Sequence, residues 1–597
     1  MAARKRALVV DIGSTTTKAL LFERRGKRYE LIGDAQAATT VEAPTEDVTV
    51  GLVEAIKALG AAVGRRLLRD GRPVVGEGID AFLATSSAGG GLQILVSGLA
   101  RSVTAKSAYR AACAAGGVLL DVLAIDDGRM PHEKVEAIEH LRPDMILIAG
   151  GVDGGDVGNV VRMTSIIMGA RLKPKYVPDG KMVVIFAGNA DARRQIESLL
   201  GGKVELKIVD NLRPALDREN LEPTSIAIHE LFTEHVMARA PGYPKVGKWT
   251  TLPVEPTPAA VERMLEALHE RKSENMMMVD IGGATTDVFS CYEGGFSRTV
   301  SASLGMSYSA SNVLLEAGVE NVMRWLTKEM PERLVRNMIA NKCINPTRLP
   351  RDEVELELEQ ALARAALSRA LKTHREMSVR LSRPTFKDWI KNAVVAEPRM
   401  APDRYEHHYI DMGRVSLLFG SGGVLSKAPR RWQAAMMMID GLEPVGVTTL
   451  GVDSIFMTPH LGMLAALDED AACASFETQC FVPLGACVSF SGPFRAGKPA
   501  GRVVLRGDRR EETHDLDWGD FLIVPADEDE EFEVEVTPAR RADAGAGRGR
   551  KVNARCRGGA VGVVIDARGR PVALPVDEDQ RKKVVAEWRR RFEETCG

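Results

Sequence analysis

One short pattern of glycine and threonine occurs twice in this chain, and no other feature limits its fold as strongly. The first copy, LVVDIGSTTTK at 8–18, is an apolar run that ends in Asp11, followed by a glycine turn and a group of hydroxyl side chains. The second copy, MVDIGGATTD, lies at 278–287. Aligning Asp11 with Asp280 brings further positions into register. They are Gly13 with Gly282, Thr16 with Thr285, Thr17 with Thr286, and Gly26 with Gly295.

Each copy predicts a buried strand that runs into a tight hairpin suited to phosphate. Glycine lets the backbone approach an anion, threonine hydroxyls and loop N–H groups donate to phosphate oxygens, and the aspartate stands where a hydrated divalent metal binds. A single copy would be explained as a plain turn. Turn chemistry alone does not require the same residues at the same offsets twice. We therefore predict two facing hairpins that hold the phosphates of a nucleotide, with Lys18 in the first copy where the second has Asp287.

A third glycine-rich loop follows an apolar strand late in the chain, in the sequence LLFGSGGVL at 417–425. Its glycines let the backbone pack against a ribose and a base, and a helix is predicted directly after it. The two hairpins and this loop, in this order, resemble the actin/Hsp70/sugar-kinase ATPase superfamily. The resemblance implies an α/β fold, a duplicated actin-like (ribonuclease H-like) two-lobe ATPase, with 417–425 as the adenosine loop.

The composition indicates an ordinary soluble protein of several domains. The chain has 597 residues, 27% of them charged, and a net charge of -2, so no global field favours nucleic acid or an anionic membrane. Asp11 interrupts the basic start before a signal-peptide apolar segment can form, and no run approaches the ~20 apolar residues of a membrane span. We therefore expect a cytoplasmic protein without nucleic-acid or membrane partners.

The cysteines give no sign of a metal site. None of the eight forms a C-x-x-C pair, so neither a zinc ribbon nor a redox motif is indicated. Cys473, Cys480 and Cys487 recur every seven residues, and their apolar neighbours favour buried thiols.

The segment 92–210 alternates helix and strand, which predicts parallel crossovers. The strand Met145–Ala149 ends in GGVDGGD at 150–156. In the superfamily, the carboxylate that orients the attacking water often lies in this part of the first lobe, which makes Asp153 and Asp156 candidates; turn-forming aspartates are the alternative. A second glycine loop, TSSAGGG at 85–91, is either a strand-to-helix turn or a wall of the nucleotide cleft.

Three domains are predicted: a first lobe with an α/β insertion at 1–240, a second lobe with a helical insertion at 241–487, and a β-rich module at 488–597. The proline-rich stretch 222–258 reads as an irregular crossing between the lobes. Asp352–Met377 is predicted as a long helix, either a surface insertion that contacts a partner or a packed helix.

In the last module, Glu531–Val536 alternates with period two, as a half-buried strand does. The charged runs at 527–531 and 544–551 either bind charged ligands or are solvated loops.

Four stretches narrow the resemblance: DIGSTTTK at 11–18, IAGGVDGGD at 148–156, VDIGGATTDV at 279–288 and the β-rich end. Together they resemble the glutamate mutase accessory family, called MutL or GlmL, which is unrelated to the mismatch-repair protein of the first name. The resemblance implies an ATP-dependent reactivating factor that releases damaged cobalamin from an adenosylcobalamin-dependent mutase. ATP and Mg²⁺ are the implied cofactors, the mutase is the implied partner, and a homo-oligomer is compatible with the sequence.

Motifs and resemblance together give the candidate site residues. The catalytic candidates are Asp11, Asp280, Asp153 and Asp156, and the first two are also the predicted metal ligands. The predicted nucleotide-binding residues are Gly13, Ser14, Thr15, Thr16, Thr17, Lys18, Gly282, Gly283, Ala284, Thr285, Thr286, Gly420, Ser421, Gly422 and Gly423.

Two other functions of the same fold remain open. One is a small-molecule kinase, which needs a substrate pocket with a base beside the γ-phosphate. The other is an activator of the 2-hydroxyacyl-CoA dehydratase type, whose family also begins with DIGSTTTK and holds an iron–sulfur cluster between subunits. Its glycine-flanked cysteine is missing here, and Cys113 and Cys291 are the nearest candidates.

Overall fold

The computed structural model describes residues 6–13, 15–41, 44–76, 78–87, 92–115, 117–173, 180–231, 241–292, 295–301, 303–381 and 406–596. In these ranges, two lobes are each built on one five-stranded pattern. A parallel α/β sheet is inserted into the first lobe, and a β-rich region follows the second.

The first lobe starts with an antiparallel meander. Its first elements are β1 (Arg6–Ile12), β2 (Thr16–Arg25), β3 (Arg28–Ala38), α1 (Val48–Ala62), β4 (Leu68–Arg69), β5 (Arg72–Pro73) and β6 (Ala81–Ser86). Strand β1 is buried on both faces, with Ala7 and Val9 in one hydrophobic core and Leu8 and Val10 in another. Helix α1 begins at Asp47, whose carboxylate accepts the Thr49 N–H, the bond expected of an N-cap.

The inserted sheet contains five parallel strands. Its elements are β7 (Leu92–Gly98), α2 (Thr104–Ala114), β8 (Gly117–Ala124), α3 (Pro131–Leu141), β9 (Met145–Ala149), α4 (Val157–Met168), β10 (Val183–Phe186), a 3₁₀ turn (Ala190–Ala192), α5 (Arg193–Leu200) and β11 (Glu205–Ile208). The strand order is β8-β7-β9-β10-β11, with every pair parallel. This confirms the predicted crossovers.

The proline-rich stretch is more regular than the sequence predicted. It contains α6 (Glu222–Leu231), α7 (Tyr243–Trp249), β12 (Glu255–Pro256) and the start of α8 (Thr257–Lys272). Pro223, Pro244 and Pro258 each lie in the first turn of one of these helices. Proline is tolerated there because the first-turn N–H groups lack helical partners in any case. In 222–231 and 241–258 the expectation of an irregular course was therefore wrong; 232–240 lie outside the described residues.

The second lobe repeats the strand pattern of the first. Its elements are β13 (Met276–Ile281), β14 (Thr286–Tyr292), β15 (Gly295–Ser301), α9 (Ala310–Ala317), α10 (Val319–Met323), α11 (Glu332–Ile344), α12 (Glu353–Met377), β16 (Val379–Leu381), β17 (Glu406–His408), a 3₁₀ turn (Met412–Arg414), β18 (Leu417–Ser421), α13 (Gly423–Ser426), α14 (Arg431–Leu442), β19 (Gly446–Asp453), α15 (Thr458–Ala465), α16 (Glu469–Ser475) and a π-helical turn (Phe476–Cys480). The order β15-β14-β13-β18-β19 corresponds to β3-β2-β1-β6-β12 of the first lobe, with the same strand directions. This confirms the duplicated actin-like fold.

The long predicted helix is a packed helix. Asp352 caps α12 by accepting the Glu355 N–H. Leu358, Leu362 and Leu367 of α12 lie in the core of the second lobe. Its neighbours there include α9 and α14, so it is not a surface insertion.

The C-terminal region is β-rich, as predicted. Its elements are β20 (Phe481–Ser489), β21 (Pro499–Gly507), β22 (Glu511–Asp517), β23 (Phe521–Val524), β24 (Glu531–Pro538), β25 (Val552–Arg557), β26 (Val563–Asp566) and α17 (Glu578–Cys596). Strands β20, β26 and β23 extend the sheet of the second lobe, and the other four form a separate sheet. The division at 240 and 487 stays a prediction, since sheet pairing places 255–256 with the first lobe and 563–566 with the second.

One hydrophobic core lies between the lobes. It joins the facing sides of both central sheets to helices α8 and α15, which cross in close contact. At the crossing, a Cβ added to Gly462 would lie 1.8 Å from the carbonyl oxygen of Ala260. Backbone contact of this kind requires glycine. Among the described helices, none is long and apolar enough to cross a bilayer.

Candidate functional site

Six strands carry a polar side chain near one end, on the face that looks toward the other lobe. Side chains alternate along a strand, so the residue two positions beyond an inter-lobe core residue lies on the same face. Ala7 and Val9 lead to Asp11 in this way, and Met278 leads to Asp280. The full set is Asp11, Lys18, Thr85, Asp280, Asp287 and Ser421. An apolar core thus ends in a polar cleft between the lobes.

The two glycine–threonine loops form hairpins of identical register. Asp11 pairs with Lys18 across the first hairpin, and the Gly13 N–H donates to the Thr16 carbonyl at 3.1 Å. In the second hairpin Asp280 pairs with Asp287. The Gly282 N–H donates to the Thr285 carbonyl at 2.9 Å. Ser14 lies outside the described residues.

Two threonines hold the carboxylate of Asp11. The hydroxyls of Thr85 and Thr257 donate to its Oδ1 at 2.9 and 2.7 Å. Thr85 lies near the end of β6, the parallel neighbour of β1 in the sheet, and Thr257 begins α8, so two separate elements orient the carboxylate. The described residues provide no hydrogen bond to its Oδ2, which leaves that oxygen for a ligand. Of the 85–91 loop, Thr85 therefore lies at the cleft, and 88–91 lie outside the described residues.

The second lobe contributes buried polar atoms without partners. Asp280 Oδ1, Ser421 Oγ and Ser426 Oγ are buried and receive no hydrogen bond from the described residues. Burial, followed by the charge of Asp287, raises the pKa of Asp280 to about 8. An unsatisfied buried polar atom is costly, so these atoms fit a bound ligand.

The predicted adenosine loop lies beside the second hairpin. Strand β18 is parallel to β13, with Ser421 level with Asp280. Gly422 has a φ of +93°, and a Cβ there would lie 2.2 Å from the Ile281 carbonyl oxygen. No atom lies within 4 Å of a Cβ added to Gly423, so the loop packs tightly on one side and is open on the other.

Lys18 lies between the lobes. The charges acting on it come from Asp11 in its own lobe and from Asp280, Lys427 and Asp453 in the other. Burial, the largest effect, lowers the pKa of Lys18. A half-buried ammonium near the carboxyl groups of Asp11, Asp280 and Asp453 fits a phosphate-bearing ligand accompanied by a divalent cation.

The hydrogen bonds of Asp153 and Asp156 in the described residues are local, and none reaches either hairpin. Both follow β9 of the inserted sheet. Asp153 accepts from the Ala190 N–H at 3.0 Å and from the Asn211 amide at 2.9 Å. Asp156 caps α4 by accepting the Asn159 N–H. Both carboxylates therefore have local structural roles, as the turn-forming alternative expected.

Sequence reasoning missed Asp453, a fully buried carboxylate at the cleft. Its Oδ1 accepts the Met457 N–H at 2.7 Å, and its Oδ2 accepts the N–H and the hydroxyl of Thr458 at 2.8 and 2.6 Å. Thr458 and Thr257 each precede a proline and begin α15 and α8, the two crossing helices. The Thr-Pro pair at both helix starts is a weak signal in the sequence, because the same pair also occurs at Thr537-Pro538 in β24.

The second hairpin is also tied to the inserted sheet. Arg298 on β15 donates to Asp287 Oδ1 at 2.9 Å and to the Cys113 carbonyl at the end of α2 at 3.3 Å. Its side chain is buried. The Arg298 guanidinium therefore links the second hairpin directly to helix α2 of the insertion.

The cysteines are packed as the sequence predicted. Cys473, Cys480 and Cys487 are buried, as are Cys113 and Cys291. Burial raises the pKa of the Cys291 thiol to about 12, which disfavours the thiolate that a metal ligand needs. Within the described part of the chain, no three His, Cys, Asp or Glu side chains are grouped as metal ligands. A hydrated Mg²⁺ on a nucleotide needs only one or two carboxylates, and Asp11 and Asp280 fit that need.

Two lobes of one topology, each presenting a glycine–threonine hairpin to a shared cleft, define the class of actin-like two-lobed proteins. A family model described as "MutL protein" matches residues 7–480. The chain therefore belongs to the MutL family, which confirms the resemblance. "Protein MutL" of Clostridium tetanomorphum is 28% identical over 390 residues, 62% of this chain and 78% of the relative.

Solved structures resemble the chain only distantly. A diol dehydratase-reactivating factor in nucleotide-free form is 10% identical, with a TM-score of 0.28 over 78% of this chain and 100% of that chain. Component A of the Acidaminococcus fermentans (R)-2-hydroxyglutaryl-CoA dehydratase is 9% identical, with a TM-score of 0.26 over 79% of this chain and 98% of that chain. Likeness at this level says nothing about function.

Proposed function

We propose that this protein is an ATPase that serves as a reactivating factor for an adenosylcobalamin-dependent mutase, releasing damaged cobalamin. The main support for nucleotide binding is the cleft between the lobes, where two hairpins of identical register bring Asp11, Lys18 and Asp280 close together. Phosphate groups with a divalent cation satisfy this set of charges better than any neutral ligand. The mutase as partner rests on MutL family membership, and a cytoplasmic location follows from that role.

The residues have distinct roles in this proposal. Loop N–H groups and the hydroxyls of Thr16 and Thr285 bind phosphate oxygens, and the 420–423 loop receives the adenosine. The predicted hydroxyls of Thr17 and Thr286 do not take part, because both are buried away from the cleft, where Thr17 is hydrogen-bonded to Thr39 and Thr286 donates to the Leu304 carbonyl. Asp11 and Asp280 hold Mg²⁺, which offsets phosphate charge when bound. Asp11 is the better candidate for orienting the attacking water, because Thr85 and Thr257 fix one of its oxygens and leave the other to the cleft.

Calorimetry and turnover measurements test the nucleotide site. We expect Mg²⁺-dependent ATP binding, and we expect Asp11→Asn and Asp280→Asn to lower turnover by roughly 10²-fold or more while leaving the thermal midpoint nearly unchanged. Asp156→Asn is the matched control, since this carboxylate caps α4 outside the cleft, and it should retain wild-type turnover. Near-wild-type hydrolysis in both cleft variants would remove the assignment.

Rescue of an inactivated enzyme tests the partner. A mutase inactivated by turnover or loaded with hydroxocobalamin should regain activity with this protein, ATP, Mg²⁺ and fresh adenosylcobalamin. Asp11→Asn should fail to rescue, because the release of cobalamin depends on hydrolysis. Phosphorylation of a metabolite without any rescue would favour the kinase alternative, and an iron–sulfur spectrum of the isolated protein would favour the dehydratase-activator alternative.

A further inference from the structure

In the described part of the chain, one cation–π contact joins the lobes across the cleft. The Lys18 ammonium, from β2 of the first lobe, lies 3.8 Å from the centroid of the Phe456 ring. Phe456 belongs to the second lobe, in the turn between β19 and α15. An ammonium over a ring face at this distance is attracted by the ring quadrupole, and more strongly where water is excluded. Lys18 is partly shielded from water, since burial lowers its pKa.

The turn imposes the position of the Phe456 ring. Phe456 has a φ of +66°, a left-handed conformation that bulky residues rarely adopt. Asp453 fixes both sides of the strained residue, because its carboxylate accepts the N–H groups of Ile455, Met457 and Thr458. Strain of this kind persists only where the surroundings enforce it, and it marks functional positions.

The Phe456 ring contacts the Lys18 ammonium, which is the cation that the first lobe offers to a phosphate in the cleft. The charged groups facing Lys18 are Asp11, Asp280, Asp453 and Lys427. Within the described ranges, none of them forms an ion pair or a hydrogen bond with its ammonium. A phosphate is a stronger partner for an ammonium than an aromatic face is.

We propose that Phe456 is a latch residue, which holds Lys18 and thereby links the lobes when the cleft lacks nucleotide. Phosphate binding withdraws the ammonium from the ring and releases this link. The latch rests on the proposed nucleotide site and adds to it a way for ligand binding to change the relation between the lobes. Because the ring interacts with Lys18 in one state only, the contact supplies the differential free energy that a conformational change requires.

Variants at both ends of the contact test the latch. Phe456→Leu keeps an apolar side chain in the same turn but removes the ring, so Mg-ATP should bind about two- to tenfold more tightly. Phe456→Tyr keeps the ring face and should bind as the wild type does. Lys18→Met should bind ATP weakly, and adding Phe456→Leu to it should give no further gain. Each variant is first checked for a wild-type thermal midpoint.

A distance measurement separates the latch from the nucleotide site. Spin labels at Lys57 on α1 and Glu320 on α10, both exposed, report the spacing of the lobes. Without nucleotide, Phe456→Leu should lengthen or broaden that distance, and Phe456→Tyr should not. An unchanged distance in Phe456→Leu, or an affinity gain that persists in the Lys18→Met background, would overturn the latch. If the wild type binds no ATP, the nucleotide site fails, and the distance measurement still decides whether the contact links the lobes.

Discussion

His374 is an ionisable residue buried in the core of the second lobe. Its ring on α12 is within hydrogen-bonding distance of the hydroxyl of Ser290, at 2.8 Å, and of that of Thr299, at 3.1 Å. Burial lowers the pKa of His374 from the ordinary 6.5 to about 3. The folded protein therefore keeps this ring neutral at pH values where the unfolded chain binds a proton.

This difference predicts a loss of stability in mild acid. The contribution of neutral His374 to the free energy of unfolding is complete above about pH 6.5. It is lost progressively as the pH falls toward 3. The loss amounts to about 2 kcal/mol at pH 5. Urea unfolding at pH 7 and pH 5 should show it, and His374→Gln should flatten the difference. His132→Gln, on the exposed side of α3, should keep the wild-type difference; an equal effect of both variants would contradict the explanation.

At the residue scale, the sequence predicts the hairpins but not their support. Aspartate, glycine and paired threonines lie within a few positions of one another, so the sequence alone indicates a hairpin suited to phosphate. The threonines that orient Asp11 lie 74 and 246 positions along the chain, and only the folded sheet brings them together. Asp153 and Asp156 show another limit of the sequence. An aspartate in a glycine-rich stretch after a strand has the same local sequence whether it faces a cleft or caps a helix.

At the scale of elements, a buried ion network joins the C-terminal region to the second lobe. Asp440 on α14 accepts from Arg364 of α12 at 2.8 Å and from Arg568, just after β26, at 2.9 Å. Arg568 also donates to Asp566, and its guanidinium lies 4.4 Å from the Trp588 ring of α17. All of these charged side chains are buried. The pattern of the sequence predicts the strands and helices but not this network, whose partners come from four separate elements.

Removal of the central carboxylate should therefore destabilise the molecule strongly. Asp440→Asn leaves two buried guanidinium groups without their shared charge partner, at a cost of about 3–5 kcal/mol. Thermal unfolding should show a large fall in the midpoint. The control is Asp515→Asn, which breaks an exposed pair with Arg502 and should change little. A wild-type midpoint in Asp440→Asn would mean that the network does not hold the region in place.

This network also explains why deletion is a poor test of the C-terminal region. A cut at Val488 falls inside β20, removes β26 from the shared sheet and leaves Arg364 and Asp440 without Arg568. A truncated chain would lose stability in the second lobe itself. Substitutions on the exposed face of the separate four-stranded sheet are the better test of whether the C-terminal region contacts the proposed mutase.

At the scale of the whole molecule, the two glycine–threonine hairpins and the crossing of α8 and α15 share one core between the lobes. Each helix begins with a threonine that bonds a carboxylate of the cleft, Thr257 with Asp11 and Thr458 with Asp453. The helix crossing therefore sets the spacing of the two halves of the site. The duplication was predictable because both copies of the hairpin are in the sequence, whereas this crossing depends on one glycine that no motif marks.

The helix crossing leaves no room for a side chain at Gly462. A methyl group at Gly462 would lie 1.8 Å from the Ala260 carbonyl oxygen, so Gly462→Ala must push the helices apart and move the two hairpins relative to each other. Displacement by about 1 Å can lower turnover roughly 10²-fold, and the thermal midpoint should fall as well. Gly247→Ala is the matched control, because a Cβ there meets no atom within 4 Å on α7; it should leave turnover unchanged. Wild-type turnover and stability in Gly462→Ala would show that the crossing does not set the geometry of the cleft.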